Sequence, residues 1–240
     1  IEEKADLGFA PDSSFPLTYA EKGLLQVKLH GPGWEDLPLQ AGRALNVVPD
    51  KATYKGQRLE EFLPVIEQSG VNYTEEAGAV TVLGLSKHSK DAAEGVNAIV
   101  GLAESLSLIQ PHPALLFIAD AVGQDATGAA LFGEIKDEPS GALSFNIATL
   151  FIDKERSEIG IDIRIPVLAD KDALVERLTE VAASYQLQYE EFDYLAPLYV
   201  PLDSPLVSTL MKVYQEETGD QTPAMSSGGA TFARTMENCV

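Results

Sequence analysis

The period of the apolar positions changes several times along this chain, and each change predicts an element. Residues 24–29 read as a strand, and a second extended stretch at 51–55 follows the turn-rich segment 32–38. Leu59, Phe62, Leu63 and Ile66 then recur at i, i+3, i+4, i+7, which places them on one face of a helix that Gly70 stops. Two short extended stretches, 71–75 and 79–85, flank Glu76-Ala77-Gly78. Asp91 stands where a helix cap belongs, and Ala92, Val96, Ile99, Val100, Ala103 and Leu106 form the apolar stripe of the helix it would open.

Residues 111–133 predict short helices interrupted by glycines. Segments 143–152 and 158–166 predict an antiparallel pair joined by a charged turn, and Ile159, Ile161, Ile163 and Ile165 alternate with Gly160, Asp162 and Arg164. One face of that strand should be buried and the other polar. A helix with Leu174, Leu178, Val181, Ala182 and Tyr185 inside comes next, then a strand at 187–192. The last helix opens at Asp203-Ser204-Pro205, turns Val207, Leu210, Met211 and Tyr214 to a core, and ends at Gly219; residues 226–230 read as a tight turn of small residues. This order predicts an α+β protein in which residues 24–196 hold two successive β/α units, each with antiparallel strands and helices on one face. Residues 1–23 and 197–240 read as pieces of a different domain.

The composition, 45% hydrophobic and 22% charged over 240 residues, is that of a globular chain with one sizeable core or two modest ones. A net charge of −20 argues against a phosphate-backbone partner, because such binding rests on clustered Lys and Arg. No run approaches the apolar length that crosses a bilayer, so no membrane partner is expected and a cytoplasmic location is. The single cysteine, Cys239, has no disulfide partner and no metal-spaced neighbours, and reads as a small buried hydrophobe.

Several residues have chemical potential with an ordinary alternative beside it. Asp12 sits between Pro11 and Pro16, where a stiffened carboxylate could bind a dication or simply make a turn. Glu21 alone reads as a surface residue. His88 falls where a strand hands over to a helix, and there it could donate to a developing oxyanion or lie exposed on a loop. Arg164, on a rigid strand, could take a carboxylate with two parallel hydrogen bonds, or be solvated near Asp162. Asn46 could bond a substrate carboxylate or form an Asx turn, and Gly228 with Gly229 could offer backbone N–H groups to an anion or form a structural turn.

Taken in order, these motifs resemble the dinuclear-zinc metallopeptidases of the aminoacylase and carnosinase superfamily, and within it the dipeptidase V and Xaa-His dipeptidase type. The resemblance rests on Phe9-Ala10-Pro11-Asp12-x-x-Phe15-Pro16 with Glu21-Lys22-Gly23, and on Ala41-Gly42-x-Ala44-x-Asn46-x-x-Pro49. It continues through Gly84 with His88, Gly95 and Asn97, then Arg164, then Ser227-Gly228-Gly229-x-Thr231-x-x-Arg234. The resemblance implies a lid domain of two tandem ferredoxin-like halves, with catalytic-domain segments at both ends. It implies Asp12 as a zinc ligand and His88 as the residue that stabilises the tetrahedral intermediate. Asn46 and Arg164, helped by the backbone at Gly228 and Gly229, would hold the free carboxylate of a small dipeptide.

The family's remaining metal ligands and its general-base glutamate are expected upstream of Ile1 or beyond Val240. The chain therefore reads as an excised segment, inactive alone and binding no zinc stably, of a parent that holds two zinc ions. Two lid halves can cover their own active site, which implies a monomeric parent. The alternatives are a related deacylase or desuccinylase, or a dimerisation or binding module without catalytic duty. A dipeptide-reading lid requires Asn46, His88 and Arg164 to share one cleft.

Overall fold

A computed structural model describes residues 6–236 and 238–240. Its elements are, in order, β1 (Thr18–Glu21), β2 (Gly23–Pro32), β3 (Leu39–Ala41), β4 (Lys51–Tyr54), α1 (Leu59–Ser69), β5 (Tyr73–Glu76) and β6 (Ala79–Leu83). A 3₁₀ turn at Ser89–Glu94 precedes α2 (Ala98–Leu106) and α3 (Pro113–Leu116), the latter running into a π turn at Phe117–Val122. Then come α4 (Ala129–Phe132), the two-residue strands β7 (Lys136–Asp137) and β8 (Gly141–Ala142), β9 (Ser144–Ile152), β10 (Arg156–Ile165) and α5 (Lys171–Ser184). The chain closes with β11 (Gln188–Leu195), β12 (Leu198–Tyr199), α6 (Pro205–Thr218), β13 (Met225–Ser227) and a 3₁₀ turn at Phe232–Thr235. The class is α+β, as the pattern predicts.

The elements form where the sequence signals them. Phe62 and Ile66 are the buried face of α1, and Gly70 closes it at φ 74°. Ser204 caps α6 by accepting from the Val207 N–H, with Pro205 in the first turn where its missing N–H costs nothing. Leu174, Leu178 and Ala182 are the buried side of α5, whose cap is Asp170.

The connectivity differs from the expected succession of two units. The main sheet has the order β11-β2-β10-β9-β3 and is antiparallel throughout, while β4-β6-β5 make a separate antiparallel sheet. Thus β2 pairs with strands more than a hundred residues later, and the small sheet is nested between β3 and β9. Both sheets share one core through α2, which is buried on nearly all sides. A helix apolar all round has to be enclosed, and here a layer on each flank encloses it. Tyr54 meets Phe62 edge-on at 5.3 Å within the same core.

A second, smaller core joins the two ends of the chain. Tyr19, Ala20, Leu198, Val200, Leu206, Val207, Ala233, Cys239 and Val240 pack together over the sheet β12-β1-β13, and the Gly8–Ala10 backbone pairs with 238–240. Cys239 is buried there, as expected. No helix among the described residues is long and apolar enough to cross a membrane.

Candidate functional site

The chemistry-bearing face of the main sheet is the one opposite its apolar core. Along β10 the isoleucines point into that core, and Gly160, Asp162 and Arg164 point the other way. That second face was expected to be polar. It is polar but covered over this stretch, since Asp162 is 0% and Arg164 4% exposed. The cover comes from the 43–49 loop and the 3₁₀ turn. A Cβ on Gly160 would lie 2.7 Å from Leu45 Cδ2 and 2.3 Å from Thr149 Oγ1, so the side chains of the loop and of β9 pack directly on the bare glycine.

Polar side chains hold the cover down. Asn146, the register partner of Asp162 on β9, donates through Nδ2 to the Val47 carbonyl at 3.0 Å and to Ser89 Oγ at 2.9 Å. Ser89 Oγ donates to the Leu45 carbonyl at 3.0 Å, and Ser144 Oγ donates to the Ser89 carbonyl. Asn97 donates to the Ile147 carbonyl at 2.7 Å and to Asn146 Oδ1 at 3.1 Å. Its own Oδ1 accepts the Ile99 and Val100 N–H groups and so caps α2. Asp91 is therefore not the cap. It lies inside the separate 3₁₀ turn at φ −114°, and Gly95 and Asn97 are extended between that turn and α2.

Arg164 lies at the centre of this arrangement. Its Nε donates to Asp162 Oδ1 at 2.7 Å, its Nη2 to Asp162 Oδ2 at 3.2 Å, and its Nη1 to the Gly228 carbonyl at 3.0 Å. The two-bond carboxylate geometry anticipated for it is thus made within the chain, with Asp162. Gln26, the register partner of Asp162 on β2, donates to Asp162 Oδ2 at 3.0 Å.

His88 caps the 3₁₀ turn, its Nδ1 accepting the Lys90 N–H at 3.1 Å, so the ring proton belongs on Nε2. His88 is exposed, yet the desolvation it meets on its inner side, and after it the nearby Arg164 charge, holds this imidazole below its ordinary pKa. A neutral Nε2–H donor results at neutral pH. Asn46 is exposed in the turn of the 43–49 loop, its carbonyl accepting the Ser89 N–H at 2.9 Å beside the Val47–His88 bridge. Gly228 packs on the same turn, where an added Cβ would come within 2.7 Å of Lys90 Cβ.

The glycine turn presents carbonyls to arginines. The Gly229 carbonyl accepts from Arg234 Nη2 at 2.8 Å, and the Gly229 N–H is taken by Ser227 Oγ at 2.9 Å. Glu21, read as a surface residue from sequence, is 2% exposed; it accepts from Arg234 Nε at 2.8 Å and from the Thr231 N–H at 3.0 Å. Arg234 also donates to the carbonyls of Lys22 at 2.6 Å and Ala196 at 2.7 Å, holding both crossings between the main sheet and the terminal unit.

The described structure thus gathers Arg164, His88, Gly228 and, through its backbone, Asn46. Asp12 stands apart, exposed on its loop with its N–H on the Ala10 carbonyl. The aromatic residues of its motif, Phe9 and Phe15, are both exposed, with Phe15 stacked on Tyr214 at 5.8 Å beside an apolar cavity of about 260 Å³. No group of three or more His, Cys, Asp or Glu side chains suited to a metal ion occurs among the described residues. Sequence reasoning missed Asp162, Gln26 and Asn146 as one row across the sheet, and missed Lys90 and the Glu21–Arg234 pair. The alternation in β10 signalled Asp162, and Glu21 and Arg234 stood in the motifs at the two ends without being read as a pair.

No protein-family model matches the chain. It is 32% identical to YtjP of Bacillus subtilis, whose name is putative dipeptidase, over 98% of this chain and 55% of that protein. A like-named protein of Staphylococcus haemolyticus is 26% identical over 100% of this chain and 56% of its own length. Among solved structures, the aminoacylhistidine dipeptidase of Vibrio alginolyticus aligns at 12% identity and a TM-score of 0.47, over 96% of this chain and 56% of that one; a score this low carries no argument. The chain spans about half the length of the curated relatives it matches. From end to end it is related in sequence to bacterial proteins named as dipeptidases, the relationship that its motifs suggest.

Proposed function

We propose that this chain is the lid-bearing part of a metal-dependent dipeptidase, with residues 24–196 as the lid and residues 1–23 and 197–240 as segments of the catalytic domain. The bond from Arg164 to the Gly228 carbonyl, with Gly228 packed on Lys90 of the His88 segment, brings together positions far apart in the chain and supports this reading best. The four strands β2, β9, β10 and β11, in the order β11-β2-β10-β9 with α5 crossing between the last two in sequence, suit a ferredoxin-like lid half. The nested sheet with α1 and α2 would be the other half.

In this reading the Arg164 guanidinium and the Asn46 amide hold the free carboxylate of a small dipeptide. The His88 Nε2–H, neutral and directed by its Nδ1 contact, donates to the oxygen that gains charge as the peptide bond is attacked. Zinc would activate the attacking water. The residues present here do not make a zinc site, because such sites take three or four protein ligands and no group of three or more candidate ligands, at Asp12 or elsewhere, occurs among the described residues. The metal would depend on residues outside this chain, and the 240-residue chain alone is inactive in this proposal. A soluble cytoplasmic monomer remains the expected setting.

The test is dipeptide hydrolysis by the full-length protein, before and after chelation and after zinc is restored, with this chain assayed beside it. Chelator-sensitive dipeptidase activity in the full-length protein alone supports the proposal. Turnover by the isolated chain, or hydrolysis of acylated amino acids in preference to dipeptides, would count against it.

A further inference from the structure

We infer that Asp162, seated by Gln26, is the positioning residue of Arg164, and that it leaves the Nη1–Nη2 edge as the guanidinium's only two-pronged approach for a substrate carboxylate. This rests on the dipeptidase reading above. A guanidinium has five N–H groups and two edges on which a carboxylate can lie with two bonds. Asp162 occupies the Nε–Nη2 edge with both oxygens, at 2.7 and 3.2 Å. Both residues lie on β10 two positions apart and so project from the same face of the sheet. Because Asp162 is 0% exposed, water does not compete for it.

Gln26 fixes the aspartate in turn. It lies directly opposite on β2, and its Nε2 donates to Asp162 Oδ2 at 3.0 Å. Gln26, Asp162 and Arg164 therefore form a relay across two central strands of the main sheet, buried at Asp162 and Arg164 and half-buried at Gln26. At its far end Nη1 meets the Gly228 carbonyl at 3.0 Å, on a turn that also touches Lys90 of the His88 segment. That edge is covered in this structure, with Arg164 4% exposed and Nη1 on the Gly228 carbonyl, so a carboxylate taking it must displace that carbonyl, on the side of the His88 segment. Asp162 thereby decides which way the arginine faces, and touches no substrate itself.

The experiment is done in the full-length protein with a dipeptide substrate and the C-terminal amide of the same dipeptide, which lacks the carboxylate. For Asp162→Asn the expected result is a KM for the dipeptide raised roughly tenfold, the scale of one lost bond to a charged group. The expected kcat stays within about twofold, and the inhibition constant of the amide is unchanged. Gln26→Met, which keeps the volume and removes the donor, should raise the dipeptide KM about threefold with the amide again unaffected. Should Asp162→Asn not accumulate as a folded protein, Gln26→Met decides the matter by itself. Equal weakening toward acid and amide would reduce the relay to a structural one and overturn the inference, as would no change in either variant. Arg164→Lys separates this inference from the reading beneath it. If acid-over-amide preference is lost in Arg164→Lys but kept in Asp162→Asn, only the positioning role falls. If it survives in Arg164→Lys, both fall.

Discussion

His88 and His112 each accept a backbone N–H through Nδ1, from Lys90 and Ala114 respectively, which leaves Nε2 as the protonated nitrogen. For His112 that proton faces the Pro32 carbonyl at 3.0 Å. Burial holds both imidazoles below their ordinary pKa, and for His88 the Arg164 charge adds to it. A histidine whose folded pKa is depressed favours the neutral form, so its contribution is fully present above the unfolded value near 6.5 and is lost as pH falls through the lower folded value. NMR titration of the ring protons should give midpoints below about 6.5 for both residues, with stability declining on the acid side of that point. A midpoint above 6.5 for His88 would mean that the nearby Asp162 carboxylate outweighs burial and Arg164. The Arg164–Asp162 pair was half legible in sequence, because residues two apart on a strand share a face. Gln26 was not, since nothing local states that β2 lies beside β10 in that register.

Among the elements, α2 tests the cost of reading a cap from sequence. Asp91 has the right residue type before an apolar stripe, but the stripe is broken by the extended Gly95–Asn97 step and belongs to two helices. Asn97 does three tasks at once: it caps α2, bonds the Ile147 carbonyl on β9 and steadies Asn146. Asn97→Ala should therefore cost more than a cap alone, about 2–3 kcal/mol in a urea melt, because it also strands a strand carbonyl. Asn97→Asp keeps the cap and loses the amide donors, so it should fall between wild type and Asn97→Ala. Asp91→Ala should cost less than about 0.5 kcal/mol, as a surface change does. An Asp91→Ala loss as large as that of Asn97→Ala would contradict this account. The helix α1 and its glycine stop were legible because the signals are local. The burial of the polar face of β10 was not, because the loop that covers it is a hundred residues away in sequence.

At the scale of the whole molecule, two cores of very unequal size are joined by a few polar contacts. The larger runs through the five-stranded sheet and the β4-β6-β5 sheet, and the smaller holds β1, β12, β13 and the chain ends. Local opening follows buried apolar contact, so the two should not exchange amide hydrogens alike. The β10 amides between Ile159 and Ile163, paired on both sides by β2 and β9, should be the slowest in the protein. Those of β1 and β13 should exchange faster by the difference between a partial opening and a global one. The Glu21–Arg234 pair sets that difference, its side chains 3% and 8% exposed and its guanidinium holding Lys22 and Ala196, one on each crossing. Arg234→Leu leaves the Glu21 carboxylate buried without its cation, a change on the order of 3 kcal/mol, or about a hundredfold in an opening constant. The expected outcome in native-state hydrogen exchange is a speeding of β1 and β13 by about that factor, with β10 slowed or speeded by less than about threefold. Acceleration of β10 by the same factor would mean that the terminal unit and the main sheet open together, and that the arginine holds one cooperative body.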